Sequence, residues 1–401
     1  MKKFFREYYD TFLREGRMVK GDIGILIFFI LLPLAYPIVY SLIYNPELVR
    51  DVKMVVIDHD RTPLSRELTR RLDATEGIRF IGYASDLSEA RRAINSHKAY
   101  GILEIPEGFA RRAGRLEQAN AVMYCEMSLL LRYRAILVGA TDVMQDLGAT
   151  LTTERIDEIA PLAETITAGA DLMPIHNVTM GNLESGFDSF IMPGILILIL
   201  QQSLVLAVGM CGGASREHPF RSCYAPFGTT RPIVASILAR TTLFMMIALI
   251  PTLYIIHYVP LMFRFPMAGN IFEEILFILP MMLSSIMLGM IFQGVVRERE
   301  SVFLLWVVTS VIFLFLSGLT WPRYAFGAPW LFLSDCVPAT WGVEGFIRMN
   351  TNGASLSQVG ESYRNLWILT GVYAIGAYVV QRFVQYPAVR RHAGQSVSAS
   401  C

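Results

Sequence analysis

The chain has 401 residues, of which 53% are hydrophobic and 17% charged, with a mean hydropathy of +0.44. That is too apolar for an ordinary soluble enzyme and too charged for a protein wholly immersed in lipid, so two compartments share one chain. A net charge of +1 leaves no basic excess to displace counterions from phosphates, which argues against a nucleic-acid partner.

Residues 3 to 15 place Phe4, Phe5, Tyr8, Tyr9, Phe12 and Leu13 on one helical face and Lys2, Lys3, Arg6, Glu7, Asp10 and Arg14 on the other. This pattern predicts a helix lying flat on a membrane surface, within a cytoplasmic segment 1–22. Residues 23–44 are a first transmembrane helix, an uncleaved anchor, since the apolar run exceeds a signal-peptide core and no clean cleavage site follows.

Residues 45–189 read as an α/β domain. Short β-rich runs at 52–57, 78–81, 100–105 and 121–125 alternate with helical segments at 63–72, 86–95 and 108–115. Thr62 before Pro63 and Ser85 before Asp86 mark helix starts, longer helical patterning covers 127–172, and an extended piece at 174–180 leads back to the membrane.

Residues 190–384 hold five more spans: 190–210, 241–259, 275–295, 302–319 and 366–384. With the anchor, the expected fold class is an α-helical polytopic membrane protein of six transmembrane helices with an inserted α/β extracytoplasmic domain. The spans at 275–295 and 302–319 are joined by a few residues around Arg297 and Arg299, as in a helical hairpin. If the N-terminus is cytoplasmic, the inner segments hold 14 Lys and Arg against 4 in the short outer ones. Both termini, including the tail 385–401, are then cytoplasmic and the α/β domain lies outside. Before the last span, Trp321, Tyr324, Phe326, Trp330, Phe332 and Trp341 recur among prolines and glycines, which fits either a segment dipping into the membrane or a structured loop.

Polar residues inside apolar runs are the first functional candidates. Gln201 and Gln202 lie where hydrocarbon is deepest, and Gln293 lies near the end of a later span; each suits a translocation path or an interhelical hydrogen bond. The run Asp58-His59-Asp60-Arg61-Thr62 after an apolar strand matches the Asp-x-Asp-x-Thr nucleophile motif of haloacid-dehalogenase-type phosphatases, with Asp142 and Asp146 as a possible second acidic pair. A plainer reading has these residues end the strand and cap the next helix. None of the five lysines follows a glycine, so no nucleotide-binding P-loop is present. Five cysteines and six histidines are dispersed without ligand spacing, so neither metal nor cofactor is expected on this chain. The basic segment 211–240 is longer than a tight connection needs and suits a docking surface or a solvated loop.

Together these features resemble the permease subunit of type-2 ATP-binding-cassette (ABC) transporters, in the bacterial exporter branch with a large extracytoplasmic domain between the first and second spans. The residues that carry the resemblance are Asp58-His59-Asp60 with Ser65-Arg66-Glu67-Leu68, then the run from Tyr100 to Phe109. They continue with Pro193-Gly194, Ser215-Arg216-Glu217, and the run from Ser317 to Pro322. The resemblance implies a half-transporter in the bacterial inner membrane that pairs with a second permease, as homo- or heterodimer, and with a cytoplasmic ABC ATPase that uses the ATP and magnesium. It implies that the segment 211–240 seats on that ATPase, with Arg216, Glu217, Arg221 and Arg231 as coupling residues. Relatives carry an Arg-Glu-Arg-Glu-Gly-Thr-like run where this chain has Arg216-Glu217-His218-Pro219-Phe220-Arg221. The outer domain is left with two roles, receiving cargo or docking a periplasmic membrane-fusion adaptor. Two rival readings are a membrane-anchored extracytoplasmic phosphatase and a non-transporting sensor or scaffold.

Overall fold

The computed structural model describes residues 2–44, 48–115, 117–159, 182, 186–217, 230–296, 298, 300–385 and 387. Its contacts divide the chain into two units, residues 46–178 and residues 1–45 with 179–401.

In the smaller unit, β1 (Val52–Asp58), β2 (Ile78–Tyr83), β3 (Gly101–Ile105) and β4 (Val122–Cys125) form one sheet in the order β2-β1-β3-β4. β1 pairs in parallel with β2 and β3, and β4 closes the sheet antiparallel. Parallel neighbours require crossovers, here α3 (Pro63–Asp73) and α4 (Leu87–Asn95). The central strand is buried on both faces, which explains its nearly continuous apolar run. Val52, Met54 and Val56 point to the face covered by α3, α5 (Phe109–Gly114) and α6 (Leu130–Ile159). Val55 and Ile57 point to the opposite face, under α4. The expected strands and short helices appear within a residue or two; the expected helix end and extended piece at 160–181 lie outside the described residues.

The larger unit is a helical bundle. α1 (Lys2–Gly21) packs along α8 (Thr230–Leu253, continued by Tyr254–Tyr258 and Val259–Phe263). Its buried stripe is Thr11, Glu15 and Val19, one helical turn apart, while Phe5, Tyr9 and Leu13 stay exposed. Phe12 of the aromatic face also packs against the core, and Glu15 finds a partner on α8. Asp22 separates α1 from α2 (Ile23–Tyr44) and caps it, accepting hydrogen bonds from the backbone N–H of Gly24 at 2.9 Å and Ile25 at 3.3 Å. α7 (Phe187–Glu217), 31 residues long, runs through the centre, with 83% of its most apolar stretch buried. Against it pack α2, α8, α9 (Ile271–Phe292) and α10 (Ser301–Leu316), and α13 (Gly360–Val380, continued by Gln381–Gln385) packs along α9.

Six full-length spans were expected; among the described residues five helices are long and apolar enough to cross a bilayer. The stretch 302–319 forms α10, whose 16 residues reach only about 24 Å at ~1.5 Å per residue, short of a hydrocarbon core of ~30 Å. It stops early because Gly318 adopts φ +83°, a left-handed conformation that terminates helices. The Ser317 hydroxyl oxygen then accepts the Leu319 N–H at 3.3 Å. The aromatic segment that follows folds into α11 (Ala328–Asp335) and α12 (Pro338–Asn350), and α12 is buried against α7, α9 and α13. Gly342 and Gly345 make this close approach possible. A Cβ on Gly345 would stand 2.1 Å from the Phe277 ring, and one on Gly342 2.5 Å from Met281 Sδ. α12 buries ten of its 13 residues, Trp341 among them, whereas Trp321, Tyr324, Trp330 and Phe332 are exposed.

Candidate functional site

The structure separates the three glutamines singled out in the sequence. Gln293, the residue that caps α9, donates from Nε2 to the carbonyl of Val208 on α7 at 2.6 Å. Its Oε1 accepts from Gln381 Nε2 at 2.8 Å. It is an interhelical tie. Gly212, one turn beyond Val208, leaves room for it: a Cβ there would lie 2.3 Å from Gln293 Cγ.

Gln381 is one link in a longer buried polar chain. Its Oε1 accepts from Arg240 Nη1 at 3.3 Å, and Arg240 Nε lies 3.4 Å from Glu15 Oε1, with both charged side chains 1% exposed. On the other side Arg216, at the end of α7, donates from Nη2 to the Gln293 carbonyl at 2.9 Å, from Nη1 to the Val296 carbonyl at 2.5 Å and from Nε to Gln385 Oε1 at 2.6 Å. Gln385 Nε2 also reaches the Gln293 carbonyl, at 3.1 Å. Arg216 thus places positive charge against carbonyls left open at the C-terminal end of α9. The chain of contacts joins α1, α7, α8, α9 and α13 at one end of the bundle. Glu15, Arg240, Gln381 and Gln385 escaped the sequence reading, although a carboxylate and an arginine inside apolar helical faces were the available signal.

Of the four coupling residues expected on the segment after α7, only the Arg216 side chain lies among those described, and it is buried, facing the bundle. Glu217 ends α7 and Arg231 lies in the first turn of α8, with both side chains outside the described set, as is the whole of Arg221.

Gln201 and Gln202 differ from Gln293. They are 0% and 5% exposed, and neither amide has a hydrogen-bond partner among the described residues. Gln202 and Ser203 line a cavity of about 260 Å³ between α2, α7 and α10, walled by Leu32, Leu198, Ile199 and Leu314, with Trp306 at its side. The Ser203 hydroxyl and the Trp306 indole N–H also lack partners there. An unpaired buried amide or hydroxyl costs ~1–3 kcal/mol, so this cavity concentrates unmet hydrogen-bonding capacity in the middle of the most buried helix.

In the α/β unit, the Asp-x-Asp-x-Thr run is occupied by its own backbone. Asp58 Oδ1 accepts from the N–H groups of Asp60 at 3.0 Å and Arg61 at 2.9 Å, and Oδ2 accepts from Ser65 Oγ at 2.7 Å. Asp60 takes the N–H of Gly108 at 2.8 Å and of Ala110 at 3.1 Å, besides the Thr62 hydroxyl at 2.7 Å. Slight burial pushes the Asp60 carboxyl up, but the Thr62 hydroxyl and the amides of Ala110, Gly108 and Phe109 outweigh it and hold the group below its usual value. Thr62 and Ser65 form a reciprocal capping box at the start of α3. Asp146 pairs with Arg71 at 2.5 Å, and Asp142 is exposed on α6. No group of three or more His, Cys, Asp or Glu among the described residues is arranged to hold a metal.

Apolar helices of spanning length, an inserted α/β unit and polar groups carried through the bundle centre define a polytopic helical membrane protein. The chain belongs to the ABC-2 family of transporter proteins, whose sequence model matches residues 23–379. It is a multi-pass membrane permease component of an ABC transporter, a class that lacks its own ATPase, works with an ABC ATPase and dimerises. No curated protein matches the chain significantly.

Proposed function

We propose that this chain is the permease subunit of an ATP-driven exporter in the bacterial inner membrane, moving substrate outward by alternating access. The excess of Lys and Arg in the segments at 1–22, 211–240, 296–301 and 385–401 supports a cytoplasmic placement for both termini. The α/β unit then faces outward, open to cargo or to a periplasmic adaptor. Glu217, Arg221 and Arg231 belong to the segment that seats on the ATPase.

The observation that carries the reading is the contrast between two kinds of buried polar group on α7. Near its end, Arg216 is tied to α9 and α13, so a push on the following segment is passed to both helices through fixed hydrogen bonds. In its middle, the Gln202 amide is unpaired and opens on a cavity, as a group that meets a passing substrate must be. Transport follows if nucleotide-driven closure of the ATPase shifts the equilibrium between inward- and outward-open arrangements. The phosphatase reading has less support, because the carboxylates of Asp58 and Asp60 are already taken up by backbone and hydroxyl donors.

The test is copurification of the tagged chain with an ABC ATPase, together with side-specific labelling of single cysteines. Arg221→Glu with Arg231→Glu should release the ATPase, and a cysteine at Ser88 in the α/β unit should react with an impermeant reagent from outside. Retention of the ATPase by the charge-reversed chain, or labelling of Ser88→Cys only from the cytoplasmic side, would contradict the proposal.

A further inference from the structure

The geometry points to the cavity between α2, α7 and α10 as a binding site for an uncharged, largely apolar molecule carrying one hydrogen-bonding group, such as an ester, amide or hydroxyl. The inference rests on the reading of Gln202 as a group facing the translocation path, and it specifies what that group receives.

The walls set the class. Leu32, Ile195, Leu198, Ile199, Val311 and Leu314 present aliphatic surface, and no Asp, Glu, Lys, Arg or His lines the cavity. A charged ligand would lose its hydration and gain no counter-charge, a desolvation that neutral walls do not offset. The polar groups are few: the Gln202 amide offers one donor group and one acceptor, Ser203 a hydroxyl and Trp306 an indole N–H, all without partners among the described residues, beside the Tyr36 hydroxyl and the Ser310 hydroxyl, which donates to the Val307 carbonyl at 2.8 Å. Gln202 is 5% exposed and Ser203 1%, so neither is freely solvated. Water alone does not suit the space. A single molecule takes ~30 Å³ and needs two to four polar partners, whereas most of the 260 Å³ is bounded by hydrocarbon. An apolar body with one polar group fills such a space and meets Gln202. The volume lies just below the ~300–1,000 Å³ typical of small-molecule sites, so it suits a chain or a ring system, not a large polar glycan.

Trp306 makes the site observable. The full chain in nanodiscs, without ATP or an ATPase, would be titrated with brominated decanol, brominated decyl-trimethylammonium and brominated decanoate while tryptophan fluorescence is read. Bromine quenches indole at short range, and repeating the titration at two lipid-to-protein ratios separates quenching from the bilayer, which follows probe per lipid. The expected result is a saturable component with the neutral probe alone, absent in Trp306→Phe and weakened about tenfold or more in Gln202→Leu, since that change removes the polar partner. Gln202→Glu should shift the preference toward the cationic probe. Quenching that never saturates would overturn the site, and this includes the case in which a second subunit fills the cavity. Equal saturation by all three probes would overturn the neutral class, and unchanged affinity in both Gln202 variants would overturn the role of Gln202. Because no nucleotide or partner is involved, these failures are distinct from a failure of the exporter reading, which shows in copurification and labelling.

Discussion

The pair Glu15–Arg240 offers the sharpest energetic test of the bundle. Its atoms lie 3.4 Å apart with both side chains 1% exposed, and it is a charged contact between α1 and α8. At an effective dielectric of ~20, two unit charges at that distance attract by about 5 kcal/mol. Much of that attraction offsets the cost of taking both ions out of water, so the net worth of the pair is small while the loss of one partner is large. Glu15→Met and Arg240→Met alone should each weaken docking of α1 by ~3–5 kcal/mol, because each strands a buried charge. The double substitution should cost far less than the sum, with a coupling of ~2 kcal/mol or more. Hydrogen exchange of the α1 backbone in the full chain, read as the free energy of local opening in wild type, both singles and the double, measures all four corners of the cycle. If the two losses simply add, within ~0.5 kcal/mol, the charges do not depend on one another and the reasoning fails.

Three other outcomes follow from the same geometry. Gly212→Val should force Gln293 off the Val208 carbonyl, since even a Cβ would stand 2.3 Å from Gln293 Cγ; a lower midpoint of thermal unfolding checks this, and an unchanged midpoint would refute it. Asp60→Ala should raise hydrogen exchange at Gly108 and Ala110 about fivefold, as expected for a lost cap worth ~1 kcal/mol. In the wild type the Asp60 carboxyl is held below its usual value, so its stabilisation is complete above the ordinary aspartate value of 3.8 and is lost as pH falls through the folded value; exchange at those two amides should rise only in strong acid. Finally, Asp58→Asn should leave transport unaltered, and magnesium should not raise the thermal stability of the α/β unit; magnesium-dependent phosphate release abolished by that substitution would revive the phosphatase reading.

Much of the fold was legible because periodicity is local. Strand β1 announced itself through Val52, Met54, Val55, Val56 and Ile57, and its parallel neighbours through the intervening helices. The start of α3 was readable from Thr62 before Pro63. Hydropathy found the apolar stretches but not where α10 stops, since Leu319 continues the apolar run while the left-handed turn at Gly318 ends the helix. Gln201, Gln202 and Gln293 stood out as polar residues in apolar runs, yet their different fates depend on what faces them. Gln293 meets a carbonyl 85 residues away and Gln202 meets a cavity. Glu15 and Arg240 were not singled out, because the partner that gives each its meaning lies on a distant helix.

The central claim is that this permease moves its cargo on energy supplied by a separate ATPase. Its most direct test is transport by proteoliposomes holding the chain alone, with the copurified ATPase, or with that ATPase disabled at its phosphate-binding lysine. The account predicts ATP-dependent movement toward the compartment that holds residues 45–189 only when the intact ATPase is present. Equal movement by the chain alone, or movement insensitive to the disabled ATPase, would contradict it.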